Sequence, residues 1–79
     1  MPRITLRYFA VLRELRGTDS ETREVDEGTH VQALYAELFP NCARDGLRVG
    51  FAVNAQVVPP THPLQEGDEL ALLPPLGGG

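Results

Sequence analysis

The chain has 79 residues, enough for one small domain and no second. Seven Lys+Arg against eleven Asp+Glu give a net charge of -4, which argues against nucleic acid or an anionic membrane as the main partner. All seven cations are arginine, so Schiff-base formation, lysine general-base chemistry and isopeptide acceptance have to come from another protein.

From Arg3 to Phe9 the residues alternate, with Ile4, Leu6 and Tyr8 on one face and Arg3, Thr5, Arg7 and Phe9 on the other; this is the pattern of a half-buried strand. Val11 to Arg16 reads as a short helical turn that stops at Gly17. Glu21 to Val25 is then a second strand, antiparallel to the first and polar enough to lie at a sheet edge. Thr29 and Gln32 have the spacing of a capping box, so the main helix is expected to begin there. Val31, Leu34, Tyr35 and Leu38 follow at i, i+3, i+4, i+7 and give that helix one apolar stripe. Pro40 closes the pattern, and Asn41 to Arg48 has no period and reads as loop. Phe51 to Val53 and Gln56 to Val58 form a tight hairpin around Asn54-Ala55. Pro59, Pro60 and Pro63 then forbid regular pairing, and the turn Glu66-Gly67-Asp68 leads into a last strand, Glu69 to Leu73. Strand, strand, helix, strands is an α+β order, and one amphipathic helix laid on a mixed sheet makes it a β-grasp. In that arrangement the first and last strands run parallel at the centre, as a single domain over residues 1–79 with 74–79 as a protruding tail.

Catalytic sets are thin. His30 and His62 stand apart, in no metal-ligand spacing, and the acids are scattered over turns and helix faces. No bound metal or cofactor is expected. Cys42 is the single cysteine and lies in a loop, which excludes an internal disulfide and fits a reducing compartment. The start of the chain reads as strand rather than leader, and no apolar segment approaches ~18 residues, so the expectation is a soluble, cytoplasmic protein. By elimination the unusual group is the carboxylate of Gly79. Pro74 and Pro75 hold the exit from the last strand stiff and offer no N–H, while Gly77, Gly78 and Gly79 lack the Cβ that would bar a narrow channel. The six residues after Leu73 can reach about 20 Å when extended.

Strand parity adds a surface. On the sheet face away from the helix, Phe9 and Leu73 stand together if the first and last strands are neighbours, and Val57 can join them. An apolar cluster rimmed by arginines is what a protein-binding face looks like.

Tyr8-Phe9-Ala10, Leu12-Arg13-Glu14-Leu15, Gly17-Thr18, Val53-Asn54, Leu64 to Ala71 and, above all, the double proline shortly before the terminal glycines together resemble the molybdopterin synthase small subunit family, ubiquitin-like sulfur carriers also called MoaD. The resemblance implies that an ATP-dependent, E1-like adenylyltransferase activates Gly79 in trans and that a sulfur donor protein converts it to a thiocarboxylate. The tail, including Leu76, then enters the molybdopterin synthase large subunit, which holds the catalytic lysine and turns cyclic pyranopterin monophosphate into the molybdopterin dithiolene. The resemblance assigns partner binding to Phe9, Val57 and Leu73, and it implies a heterotetramer with two small subunits at the ends of a large-subunit dimer. Sulfur carriage for thiamine, thio-tRNA or cysteine synthesis, and protein modification, are the alternatives within the same chemistry.

Overall fold

The alternation of the first strand decides what lies at the centre of the molecule. Ile4, Leu6 and Tyr8 are each no more than 1% exposed, whereas their neighbours in sequence are half-buried or exposed. The computed structural model describes residues 1–74, and over them the elements are β1 (Arg3–Tyr8), α1 (Ala10–Arg16), β2 (Ser20–Glu24), α2 (Val31–Leu38), α3 (Pro40–Arg44), β3 (Gly50–Val53), β4 (Gln56–Val58) and β5 (Glu69–Leu73). The five strands form one sheet in the order β2-β1-β5-β3-β4. β1 and β5 are parallel and central, and the other pairs are antiparallel. This is the ubiquitin-like β-grasp expected from the order of elements.

α2 lies on one face of that sheet. Its stripe, Val31, Leu34, Tyr35 and Leu38, is buried throughout, and it meets Ile4, Leu6 and Tyr8 of β1, Phe51 and Val53 of β3, and Leu70 and Leu72 of β5 in one core. Each such side chain stabilises the fold by about 1.5–3 kcal/mol relative to exposure. Aromatic edges lock the layers: Tyr8 meets Phe39 at 5.6 Å and 82°, and Tyr35 meets Phe51 at 6.2 Å and 74°.

Two expectations fail for identifiable reasons. The capping box is absent: the Thr29 hydroxyl donates to the Asp26 carbonyl, and the first turn of α2 is satisfied instead by backbone, with Val31 N–H donating to the His62 carbonyl and Gln32 N–H to the Pro60 carbonyl. The proline-rich stretch therefore does the capping, and the N-cap residue is His30. The supposed loop after Pro40 also begins as helix. Pro40 ends α2, yet it sits at the first position of α3, where its missing N–H costs nothing. Gly17 closes α1 in the left-handed region, φ 77, as its place in the sequence required.

Candidate docking face and the exit of the last strand

The ladder registers place one residue from every strand in a single row on the face away from α2. Ser20 pairs with Arg7, Arg7 with Ala71, Ala71 with Ala52, and Ala52 with Val57. Because side chains alternate across a strand, this row belongs to the open side of the sheet. Two alanines make its centre low and flat. One step further along β5, Leu73 stands opposite Gly50. A Cβ at Gly50 would lie 3.7 Å from the Leu73 Cβ, so glycine leaves this ground open beside Leu73.

Phe9 joins the same region from β1. Tyr8 is opposite Leu72, and Phe9 is still extended, with φ -133 and ψ 152, so it turns to the side opposite Tyr8. The chain then bends at Ala10, whose φ of 51 lies in the left-handed region that costs a residue with a Cβ about 1–2 kcal/mol. This bend lets α1 fold over while Phe9 keeps the strand's phase. Phe9 is 40% exposed, Leu73 37% and Val57 83%. Phe9 and Leu73 flank the end of β5, where Pro74 follows half-buried, while Val57 stands on the same face two strands across and level with Ala71. The three residues named from strand parity are exposed on this one face, with Ala52, Ala71 and Gly50 as a floor that parity alone did not reveal. Cross-strand register would have exposed it, since Ala52 and Ala71 are in phase with Val57. The other predicted tail positions, Pro75, Leu76, Gly77, Gly78 and Gly79, lie outside the described residues.

The polar groups beneath and beside this face brace the fold. Tyr8 donates its hydroxyl to Glu21 Oε1 at 2.6 Å, and Arg16 reaches the same oxygen through Nε at 3.0 Å and Nη2 at 2.8 Å. The hydrogen bond from Tyr8 holds the Glu21 carboxyl below its ordinary range, helped by the Arg16 guanidinium. Burial, reinforced by the hydrogen bond to Glu21, pushes the Tyr8 phenol well above its usual value. A phenol so placed is a fixed donor, and the trio ties α1 to β1 and β2.

Among the described residues no group of three or more His, Cys, Asp or Glu could hold a metal ion. Cys42 is half-buried against the core. No helix among them is long and apolar enough to cross a membrane. A shallow concavity of about 380 Å³ lined by Met1, Pro2, Gly28 and Leu64 lies at the end of the sheet remote from the exit of β5.

A β-grasp with an apolar clearing around the departure point of its last strand places the chain among the small ubiquitin-like proteins. The chain belongs to the ThiS family, whose pattern matches residues 6–79. It is 37% identical over 81 residues to the molybdopterin synthase sulfur carrier subunit of Chlamydomonas reinhardtii, covering 96% of this chain and 98% of that protein. Among solved structures it resembles a putative molybdopterin converting factor subunit 1 from Pyrococcus furiosus, with TM-score 0.79, 28% identity, and 96% and 100% of the two chains covered. In fold it also matches a chain in the complex of subunits 1 and 2 of molybdopterin-converting factor from Helicobacter pylori, with TM-score 0.64, 20% identity, and 98% and 99% covered.

Proposed function

We propose that this protein is the sulfur-carrying small subunit of a molybdopterin synthase. The observation that carries the reading is the exposed apolar face on which Phe9 and Leu73 flank the point where β5 gives way to Pro74 and Val57 stands two strands across, in a chain similar over nearly its whole length to a sulfur carrier of that enzyme.

In this reading the Gly79 carboxylate attacks the α-phosphate of ATP on an E1-like adenylyltransferase, releasing pyrophosphate and leaving an acyl-adenylate. A sulfur donor protein then delivers sulfur at the sulfide level, which attacks the carbonyl carbon and displaces AMP, so that the terminus becomes a thiocarboxylate. Activation is needed because a free carboxylate is a poor electrophile, whereas AMP is a good leaving group. The sulfur passes to cyclic pyranopterin monophosphate in the large subunit, which supplies the catalytic side chains. Gly77 and Gly78 thread the channel, Pro74 and Pro75 stiffen the exit, and Leu76, Leu73, Phe9 and Val57 contact the partner. The carrier itself binds no cofactor, and ATP acts in trans.

Intact-mass measurement tests the reading. After incubation with the adenylyltransferase, ATP and a sulfur donor, the chain should gain the mass difference of one oxygen replaced by sulfur, and with the large subunit and precursor it should yield molybdopterin. No mass change with an intact tail would overturn the carrier role; sulfur gained but no molybdopterin formed would move the protein to another sulfur pathway.

A further inference from the structure

Arg7 differs from the paired arginines of the neighbouring elements in having a buried Nε with no partner. Arg16 is tied to Glu21 at 2.8 Å and Arg23 pairs with Glu37. The Arg7 side chain makes no hydrogen bond among the described residues, and its Nε is buried without a partner. Its nearest carboxylate, Glu69, stands 3.9 Å from Nη1, beyond hydrogen-bond length, and both side chains are about half-exposed. An exposed ion pair at that distance holds little, and a buried donor left unpaired destabilises the free protein. The guanidinium is therefore free to be re-aimed at little cost.

Its position decides what it is free for. Arg7 belongs to the row Ser20, Arg7, Ala71, Ala52, Val57, and the next row toward the exit holds Leu73 and Gly50, with Phe9 continuing β1. Across these two rows Arg7 is the one charged side chain. A cation at the border of an apolar surface, with Glu69 its nearest counter-charge at 3.9 Å on a chain whose net charge is -4, selects for an opposite charge in whatever covers it.

We infer that Arg7 is the charge-recognition residue of the docking face, and that the molybdopterin synthase large subunit lays a carboxylate over it while covering Phe9, Leu73 and Val57 with apolar surface. This rests on the proposed function and specifies the chemistry of its partner. Closure of the interface strips water from the guanidinium, the carboxylate satisfies the unpaired donor, and the charge fixes the register in which the tail enters. A guanidinium suits the task because its planar fork pairs a carboxylate with two parallel hydrogen bonds.

The test is titration calorimetry of wild type, Arg7→Leu and Arg7→Lys with the purified cognate large subunit over a range of salt concentrations, with thermal midpoints as a folding control. Arg7→Leu should bind roughly 10- to 100-fold more weakly and lose part of the salt dependence, while its midpoint stays at or above that of wild type. Arg7→Lys should restore the salt dependence without full affinity, since an ammonium is a point charge. Equal affinity and equal salt dependence for wild type and Arg7→Leu would overturn the inference while leaving the carrier reading intact. Failure of wild type itself to bind the large subunit would remove both.

Discussion

Tyr8 stands directly opposite Leu72 in the parallel ladder at the centre of the sheet, and both are at most 1% exposed. One residue further on, Phe9 and Leu73 emerge on the other side as neighbours. The same pairing that closes the core therefore builds the candidate docking face, and no separate loop is needed to present it. Substituting the outward pair should separate binding from folding. Leu73→Glu and Phe9→Ala should each weaken association with the large subunit by about 2 kcal/mol or more, the behaviour of an anchor at an interface centre. Both positions remain more than a third exposed, so thermal midpoints should move by less than the ~4–8 °C that accompanies a 1 kcal/mol change in a domain of this size. Affinity unchanged in both variants would show that the face is not where the partner sits.

Glu21 gives the fold an acid-sensitive contact. Its pKa is lowered in the folded state, chiefly by the hydrogen bond from Tyr8, so its contribution is present above the unfolded carboxyl value of 4.5 and is lost as pH falls through the lower folded value. Glu21→Gln should shrink the acid limb of a plot of stability against pH. Glu21→Ala should do more, since it leaves the buried Tyr8 hydroxyl without its acceptor, at a cost of about 1–3 kcal/mol. Urea titrations between neutral and acid pH measure both, and an acid limb identical in Glu21→Gln would remove Glu21 from the account.

Tyr8 predicts the opposite limb. Burial raises its pKa, so the unfolded phenol ionises first, near 10.0, and the stability tied to the protonated phenol is lost as pH rises above that value. Tyr8→Phe should be less stable at neutral pH by about 1 kcal/mol, the worth of one hydrogen bond. It should also lose less stability above pH 10 than wild type does. Parallel alkaline curves for the two proteins would contradict this.

The sheet, its central pair and the stripe of α2 were legible because each spans enough residues to show a period. Ile4, Leu6 and Tyr8 repeat every second residue, and Val31, Leu34, Tyr35 and Leu38 follow the helical repeat; all seven are buried. α3 was not legible, since five residues cannot establish a period and Pro40 at its start reads equally as a stop. The cap of α2 was misread because its donors are met by carbonyls of Pro60 and His62, far along the chain, and no local motif records that. On the candidate face, Phe9, Leu73 and Val57 followed from parity alone. The weak pairing of Arg7 did not, because it depends on which residues flank it across two ladders.

The β3–β4 hairpin holds a position that can be improved. Asn54 and Ala55 take φ 52 and φ 70, the double left-handed geometry of a turn that favours Asn-Gly. Ala55 bears the steric cost of about 1–2 kcal/mol for a Cβ in that region. Ala55→Gly should remove it against an entropic loss of roughly 0.5–1 kcal/mol, for a net gain between about 0 and 1.5 kcal/mol, centred on ~0.7 kcal/mol. A raised denaturation midpoint, with binding of the large subunit unchanged, is the expected result; a lowered midpoint would mean the turn is not strained at Ala55.

The tail should be separable from the fold. The described core runs from Ile4 to Leu72, so removal of Gly79 takes nothing from it, and the thermal midpoint should stay within a few degrees of wild type. The shortened chain still ends in a glycine carboxylate, but one placed about 3.3–3.6 Å short of the reacting phosphate, and a nucleophile misplaced by even 1 Å can lose two orders of magnitude in rate. Gly78→Val keeps the length and adds a branched side chain to a segment expected to thread a narrow channel. Both variants should fail to release AMP or gain sulfur when incubated with the adenylyltransferase, ATP and sulfur donor. Sulfur acquisition by Gly78→Val at the wild-type rate would mean that the glycines do not serve access, and the same result for the shortened chain would remove Gly79 as the carrier position.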